Sequence, residues 1–261
     1  MQKITPYDLW LDFKAWVNTQ QGGFMPPQSV FIRVANIASI KLWEKWTKEA
    51  EKSQEIKDNL FPFLKSKNII TQKSNSYYSI APPPNDYARY ASCKILVVDE
   101  NKTVPSKEVN NGKCLKDNKL VTFKSDEDLA KDYYDSVREQ EVEMIDNQRW
   151  SAALKHLTKK PSFNKPKITQ IDGTFKVAPK DVGVLVLNYY IEPIDAIFAY
   201  KTVAGNLQTG SGGAIQYDAN NSRNFQWNIT VKNELLEMVK DVYIGFTRDG
   251  GFAQISNSQK Q

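Results

Sequence analysis

Apolar residues recur at helical spacing in the first third of the chain and near its end, and at strand spacing between. Leu9, Phe13, Trp16 and Val17 fall on one face of a 3.6-residue period. Thr5 is a capping residue ahead of Pro6, which suits the first helical position. Asp8 places an anion in the first turn, where the helix dipole favours it. Gly22-Gly23 stops this helix. Pro26-Pro27 opens a second, with Val30, Phe31, Val34, Ile37 and Ala38 inward and the pattern running on towards Trp43 and Trp46. Ser53 caps a third helix with Ile56, Leu60, Phe63 and Leu64 inward, and Pro62 kinks or ends it.

The character changes after Lys67. Residues 71–86 are polar and then proline-rich, and three consecutive prolines (82–84) favour extended backbone. Lys94–Val98, Lys119–Lys124, Thr174–Val177 and Val182–Tyr190 read as strands, with Pro179-Lys180-Asp181 as the turn between the last two and Ile194–Val203 as a further candidate. Trp150–Leu157 reads as a short helix. Residues 204–224 are rich in Gly, Asn, Ser and Thr and predict a long loop. Helical spacing returns at Ile229, with Leu235, Leu236, Val239, Val242 and Tyr243 on one face, Asn228 as cap, and Gly245 or Gly250-Gly251 as terminator. The expected fold is therefore α+β. A helical part spans 1–68, a hinge 69–86 and a β-rich part 87–225, with a short helix near 147–157. A C-terminal helical segment, 226–255, packs with the N-terminal helices, and 256–261 is a polar tail.

Composition narrows the chemistry. Lys and Arg total 35 against 30 Asp and Glu, a net charge of +5 over 261 residues, well short of a dedicated nucleic-acid binder. One histidine and two cysteines exclude zinc fingers, His-rich metal sites and a disulfide framework. Cys93 and Cys114 are too far apart for a CxxC pair and are expected as reduced, buried thiols. The N-terminus carries no signal-peptide pattern, and no apolar run approaches the roughly 18 residues of a membrane span. These features predict assembly in a reducing cytoplasm, with no membrane partner.

Charge is unevenly distributed. Residues 126–146 hold nine acids (Asp126, Glu127, Asp128, Asp132, Asp135, Glu139, Glu141, Glu143, Asp146) against Lys131 and Arg138. Residues 147–167 hold six bases (Arg149, Lys155, Lys159, Lys160, Lys165, Lys167) and no acid. Such blocks read either as two solvated faces or as a self-complementary surface. If they lie on opposite flanks, the acidic flank of one subunit meets the basic flank of the next, a head-to-tail contact of the kind that closes rings. Catalytic patterns are sparse. His156 has no carboxylate in its own block. Thr209–Ala214 is glycine-rich but matches no phosphate-binding motif. The run from Asp218 begins like a calcium loop, yet Arg223 and Ile229 stand where glycine and glutamate are needed. The acidic block leaves a glycosidase-type pair open. The six tryptophans could stack on bases or sugars, although Trp16 fits the core. Trp43 and Trp46 read equally as core or as a docking face for a partner helix. No catalytic residue, metal ligand or cofactor is assigned.

The order of the motifs resembles the head–tail connector (ring, adaptor or neck) proteins of tailed bacteriophages, closest to those of crAss-like podoviruses and related phages of Bacteroidetes. The resemblance rests on the capped helix Thr5–Val17, Gly22-Gly23, the helix from Pro26, Leu60-Phe-Pro-Phe63 and Pro84-Asn-Asp86-Tyr87. It continues through Val142–Asp146 before the Trp150 helix, Pro161 and Pro166, Val177–Lys180, Asn188–Pro193, Phe225-x-Trp227 and a last helix from Asn233-Glu234-Leu235. It covers most of the chain and is thinnest over 100–135. The resemblance implies a virion protein without catalysis. Such proteins form closed rings of about twelve copies below the portal protein, pass packaged double-stranded DNA through the lumen without sequence-specific binding, and attach the next ring or tail protein. Two other classes remain open: a tail-associated receptor- or glycan-binding protein using aromatics and carboxylates, and a nucleic-acid-binding accessory protein using residues 149–167.

Overall fold

The computed structural model describes residues 2–20, 26–73, 77–98, 114–116, 119–121, 137–156, 160–180, 182–203 and 214–248. In chain order its helices are α1 (Pro6–Gln20), α2 (Gln28–Glu49), α3 (Gln54–Leu60), α4 (Asn147–Lys155) and α5 (Lys232–Arg248). Its strands are β1 (Leu64–Ile70), β2 (Gln72–Lys73), β3 (Ser79–Ala81), β4 (Arg89–Val98), β5 (Cys114–Lys116), β6 (Lys119–Val121), β7 (Val137–Glu141), β8 (Glu143–Met144), β9 (Lys167–Ile171), β10 (Thr174–Ala178), β11 (Val184–Tyr190), β12 (Tyr200–Val203) and β13 (Ala214–Tyr217). The fold is α+β. The chain divides into two compact units, one made of residues 1–63 and 192–261 and the other of residues 64–191.

The first unit is mainly helical. Thr5 caps α1 in both directions: its Oγ1 accepts the Asp8 backbone N–H at 3.0 Å and donates to the Asp8 carboxylate at 2.6 Å. Thr5→Ala is expected to lower the stability of this unit by about 1 kcal/mol, read as a shifted urea midpoint at unchanged slope. Leu9, Phe13 and Val17 of α1 are fully buried, as are Phe31 and Val34 of α2 and Leu235 and Val239 of α5, and the three helices pack on one another. Phe13 lies at the centre, with ring centroids 5.3 Å from Phe31 and 5.1 Å from Tyr243. The N-terminal residues are tied to the segment ahead of α5. Ile4 N–H donates to the Trp227 carbonyl, Phe225 N–H to the Ile4 carbonyl, and Ile229 N–H to the Gln2 carbonyl. The C-terminal helix thus packs with the N-terminal helices, as its apolar face predicts.

Several expectations change in detail. Ser53 caps α3 through the Ile56 N–H, but Leu64 is exposed and opens β1, because the turn at Phe61–Phe63 ends the helix. Residues 69–86 are not a hinge. They contain β2 and β3, and the division between units falls at Phe63/Leu64 and Ile191/Glu192. Residues 192–203 and 214–225 belong to the helical unit rather than to the β-rich part. Ala214–Tyr217, expected in a loop, pairs with Tyr200–Val203 as a hairpin, and Tyr217 stacks on Tyr7 at 5.0 Å. Residues 204–213 lie outside the described residues. Asn228 makes no side-chain capping bond, and α5 runs through Gly245 to Arg248.

The second unit holds two sheets. The first is antiparallel in the order β1-β11-β4-β7. Alternate residues of β11, Leu185, Leu187 and Tyr189, point inward with Cys93 and Ile95 of β4 and Ile69 of β1. The second runs β2-β3-β10-β9-β8, with only the β8–β9 pair parallel. Its hairpin β9–β10 turns at Asp172-Gly173, both with positive φ (52° and 72°), the backbone that an Asp-Gly type I′ turn supplies. Phe175 meets Tyr87 at 5.4 Å, and Tyr87 meets Tyr189 at 6.0 Å, so an aromatic cluster joins the two sheets.

Asp86 ties this cluster down. Its carboxylate accepts from Tyr189 Oη at 2.8 Å and from Lys65 Nζ at 2.5 Å. The hydrogen bonds from Lys65 and then Tyr189 hold Asp86 below the usual carboxylate range. A depressed folded pKa contributes stability above the unfolded value that is lost as pH falls through the folded one. The stability gap between the native chain and Asp86→Asn is therefore expected to be full at about pH 6 and to close on acidification below about pH 4. Thermal melts of both proteins across that range measure it, and a gap independent of pH would remove Asp86 ionisation as its source.

Candidate functional site

The described residues of the two charged blocks belong to the second unit, which also carries α4. Asp146 caps that helix, its Oδ1 accepting the Arg149 backbone N–H at 2.9 Å. Thr169 on β9 donates to Asn147 Oδ1 at 2.8 Å, and Trp150 is buried with its ring edge-on to Tyr78 at 6.0 Å. One side of α4 is thus fixed to the second sheet. Its other residues, Ser151, Leu154 and Lys155, line an open hollow of about 570 Å³ together with His156, Lys160 and Tyr77. Lys160 Nζ lies 5.6 Å from the centre of the Tyr77 ring, and Lys176 Nζ lies 5.5 Å from that of Tyr78. Among the described residues, no Asp or Glu lines the hollow.

Asp126, Glu127, Asp128, Asp132, Asp135 and Lys159 lie outside the described residues. Glu139 and Glu141 sit on β7 at the edge of the first sheet. Glu139 holds Lys94 at 2.7 Å and raises the ammonium pKa. Glu143 on β8 and Lys167 on β9 are register partners in the parallel pair and form an ion pair at 3.4 Å. Arg149 lies 3.5 Å from Asp146. Lys155 and Lys160 face the hollow, and Lys165 sits in a backbone bridge with Ser162. At Glu143 and Lys167 a residue of the acidic block and one of the basic block therefore meet within one chain, in one sheet. The exposed pairs among these contribute little to stability, as surface ion pairs generally do.

Other candidates resolve into structure. Trp43 and Trp46 are buried, and Trp46 packs edge-on against Trp227 at 5.4 Å, so the pair is core rather than a docking face. Trp150 and Trp227 are buried as well, and Trp10 contacts Phe13, Phe31 and Phe198. Trp10 and Trp16 are of intermediate exposure, and Lys240 Nζ lies 5.7 Å from the centre of the Trp16 ring. Asp218 caps its own turn, accepting from the Asn220 and Asn221 backbone N–H groups and from Asn221 Nδ2. The Asn221 side chain does most to hold it below the usual carboxylate range. Burial pushes the Cys93 thiol up to about 12, which keeps it protonated and unreactive near neutrality. The side chain of Cys114 lies outside the described residues, as does most of Thr209–Ala214. The described residues contain no cluster of three or more metal-ligating side chains and no helix long and apolar enough to cross a membrane.

Sequence reading reached Lys155, His156 and Lys160 through the basic block but not Tyr77, Tyr78 or Lys176. The signal available for the tyrosines was two adjacent aromatics in an otherwise polar stretch with no strand alternation to bury both. No family model matches the chain, and no curated protein matches it.

Proposed function

We propose that this chain is a structural protein of a tailed-phage virion. It assembles with copies of itself into a ring of about twelve in the neck or tail, below the portal vertex. There it continues the portal's DNA channel and attaches the next ring or tail protein. It takes no cofactor and makes or breaks no bond, and the packaged double-stranded DNA passes through without sequence-specific contact. Assembly takes place in the host cytoplasm. The observation that carries this reading is the order of motifs from the Thr5-capped helix to the helix opening at Asn233-Glu234-Leu235. Two features of the fold support it. Both ends of the chain build one helical unit, and the hairpin β12–β13 pairs with no third strand among the described residues, leaving strand edges that a neighbouring copy can use.

The test is electron microscopy of the full chain, alone and mixed with the portal protein of the same virus. Annular particles are expected. A strictly monomeric species that never binds portal overturns the reading. A second arm addresses the charge blocks. Reversing Asp126, Glu127 and Asp128 to lysine is expected to weaken assembly, and reversing Lys159 and Lys165 to glutamate in the same chain is expected to restore part of it. Without restoration, pairing between these blocks does not hold the ring together.

A further inference from the structure

The hollow beside α4 combines features that surface charge alone does not require. Two lysines, Lys155 and Lys160, line one concavity together with His156 and Ser151. Leu154 supplies an apolar patch, and Tyr77, 54% exposed, supplies an aromatic face at the rim. The volume, about 570 Å³, falls within the range of roughly 300–1,000 Å³ that small-molecule sites occupy. The helix carrying Ser151, Leu154 and Lys155 is held by the Asp146 cap, the Thr169–Asn147 hydrogen bond and the buried Trp150, so these side chains project from a fixed scaffold.

We propose that this hollow binds the phosphate and base of a nucleotide, either free or as one unit of a nucleic-acid strand. Lysine ammonium groups recognise phosphate as point charges, and the serine hydroxyl adds a donor. Tyr77 gives a base a ring to stack on, an interaction that tolerates any base. Lys160, which lies over that ring, stands between the two functions and can turn to the phosphate while the base takes its place on the ring. An acidic segment of a neighbouring copy would use the same cations but would leave the tyrosine and the leucine without a role, so the combination favours a nucleotide. The proposal does not depend on the ring reading, because it concerns residues of one unit of one chain.

Calorimetric titration of the full chain tests it with four probes: adenosine diphosphate, pyrophosphate, a short oligothymidylate and a tetraglutamate peptide. Saturable binding of adenosine diphosphate is expected. Lys155→Gln combined with Lys160→Gln is expected to raise its Kd, and that of pyrophosphate, by about tenfold or more. Both lysines are exposed, so these variants keep the native melting temperature. Tyr77→Ala is expected to weaken adenosine diphosphate by at least about fivefold while leaving pyrophosphate unchanged. Oligothymidylate binding tighter than adenosine diphosphate, with a steep salt dependence, identifies a strand as the source. Equal or weaker binding identifies a free nucleotide. The proposal is overturned if neither nucleotide probe saturates, if the lysine variants bind as the native chain does, or if Tyr77→Ala leaves adenosine diphosphate unchanged or weakens pyrophosphate equally. Tetraglutamate binding as tightly as adenosine diphosphate overturns it in favour of an acidic protein partner.

Discussion

Replacing Trp227 with alanine is expected to destabilise the helical unit by about 3–5 kcal/mol, the cost of emptying a large aromatic site in a core. Trp227 is fully buried, with its ring centroid 4.5 Å from Phe63 and 5.4 Å from Trp46. Its Nε1–H donates to Ser39 Oγ at 2.8 Å inside the core, and its carbonyl accepts from Ile4. One residue thus joins α2, the turn after α3, the N-terminal segment and the lead-in to α5. Truncation leaves a cavity and removes the donor that Ser39 Oγ accepts from. Trp227→Phe separates these effects, because it keeps most of the volume and loses the donor. A double-mutant cycle with Ser39→Ala is expected to give a coupling of about 1 kcal/mol for the hydrogen bond. Urea unfolding followed by helical circular dichroism measures the four proteins of the cycle and Trp227→Ala. A loss below about 1 kcal/mol for Trp227→Ala would mean the site collapses on itself and is not the keystone its contacts describe.

Phe175→Ala is expected to cost the second unit a similar amount, about 3–5 kcal/mol. Phe175 is fully buried on β10, a central strand of its sheet, and meets the Tyr87 ring edge-on at 5.4 Å and the Tyr90 ring at 6.4 Å. These contacts connect the second sheet to the residues that lead into and form β4 of the first. Each unit has its own core, so the two substitutions are expected to act locally. Amide exchange should accelerate across 64–191 in Phe175→Ala and across the described parts of 2–63 and 192–248 in Trp227→Ala. Uniform acceleration through the whole chain in either variant would show that the two units unfold as one.

The helices were legible because each carries its own punctuation. Thr5, Pro6 and Asp8 mark the start of α1, and the burial of Val30, Phe31, Val34 and Ala38 follows the spacing of α2. The strands were legible only where one face is buried. β11 alternates and reads as a strand, whereas β1 (Leu64–Ile70) buries Ile69 alone, so its sequence reads as the end of a helical region. β7 (Val137–Glu141) is an edge strand, and its charges, the ordinary defence of an exposed edge, made it look like part of an acidic run. The Asp172-Gly173 turn was readable in principle from its residues alone. The hollow was not. Tyr77 reaches Lys155 and Lys160 only because α4 packs on the second sheet, and no local pattern encodes a contact between such distant stretches. The Glu143–Lys167 pair was hidden for the same reason: only the parallel register of β8 and β9 makes those residues neighbours.

Leu64 and Tyr190 face each other across the β1–β11 ladder, so the stretch from 64 to 191 leaves and rejoins the rest of the polypeptide at adjacent points. Such an arrangement makes that stretch a removable cassette. A short linker could replace it between Phe63 and Glu192 without reshaping the helices on either side, and a different β module with similarly close ends could be spliced into the same opening.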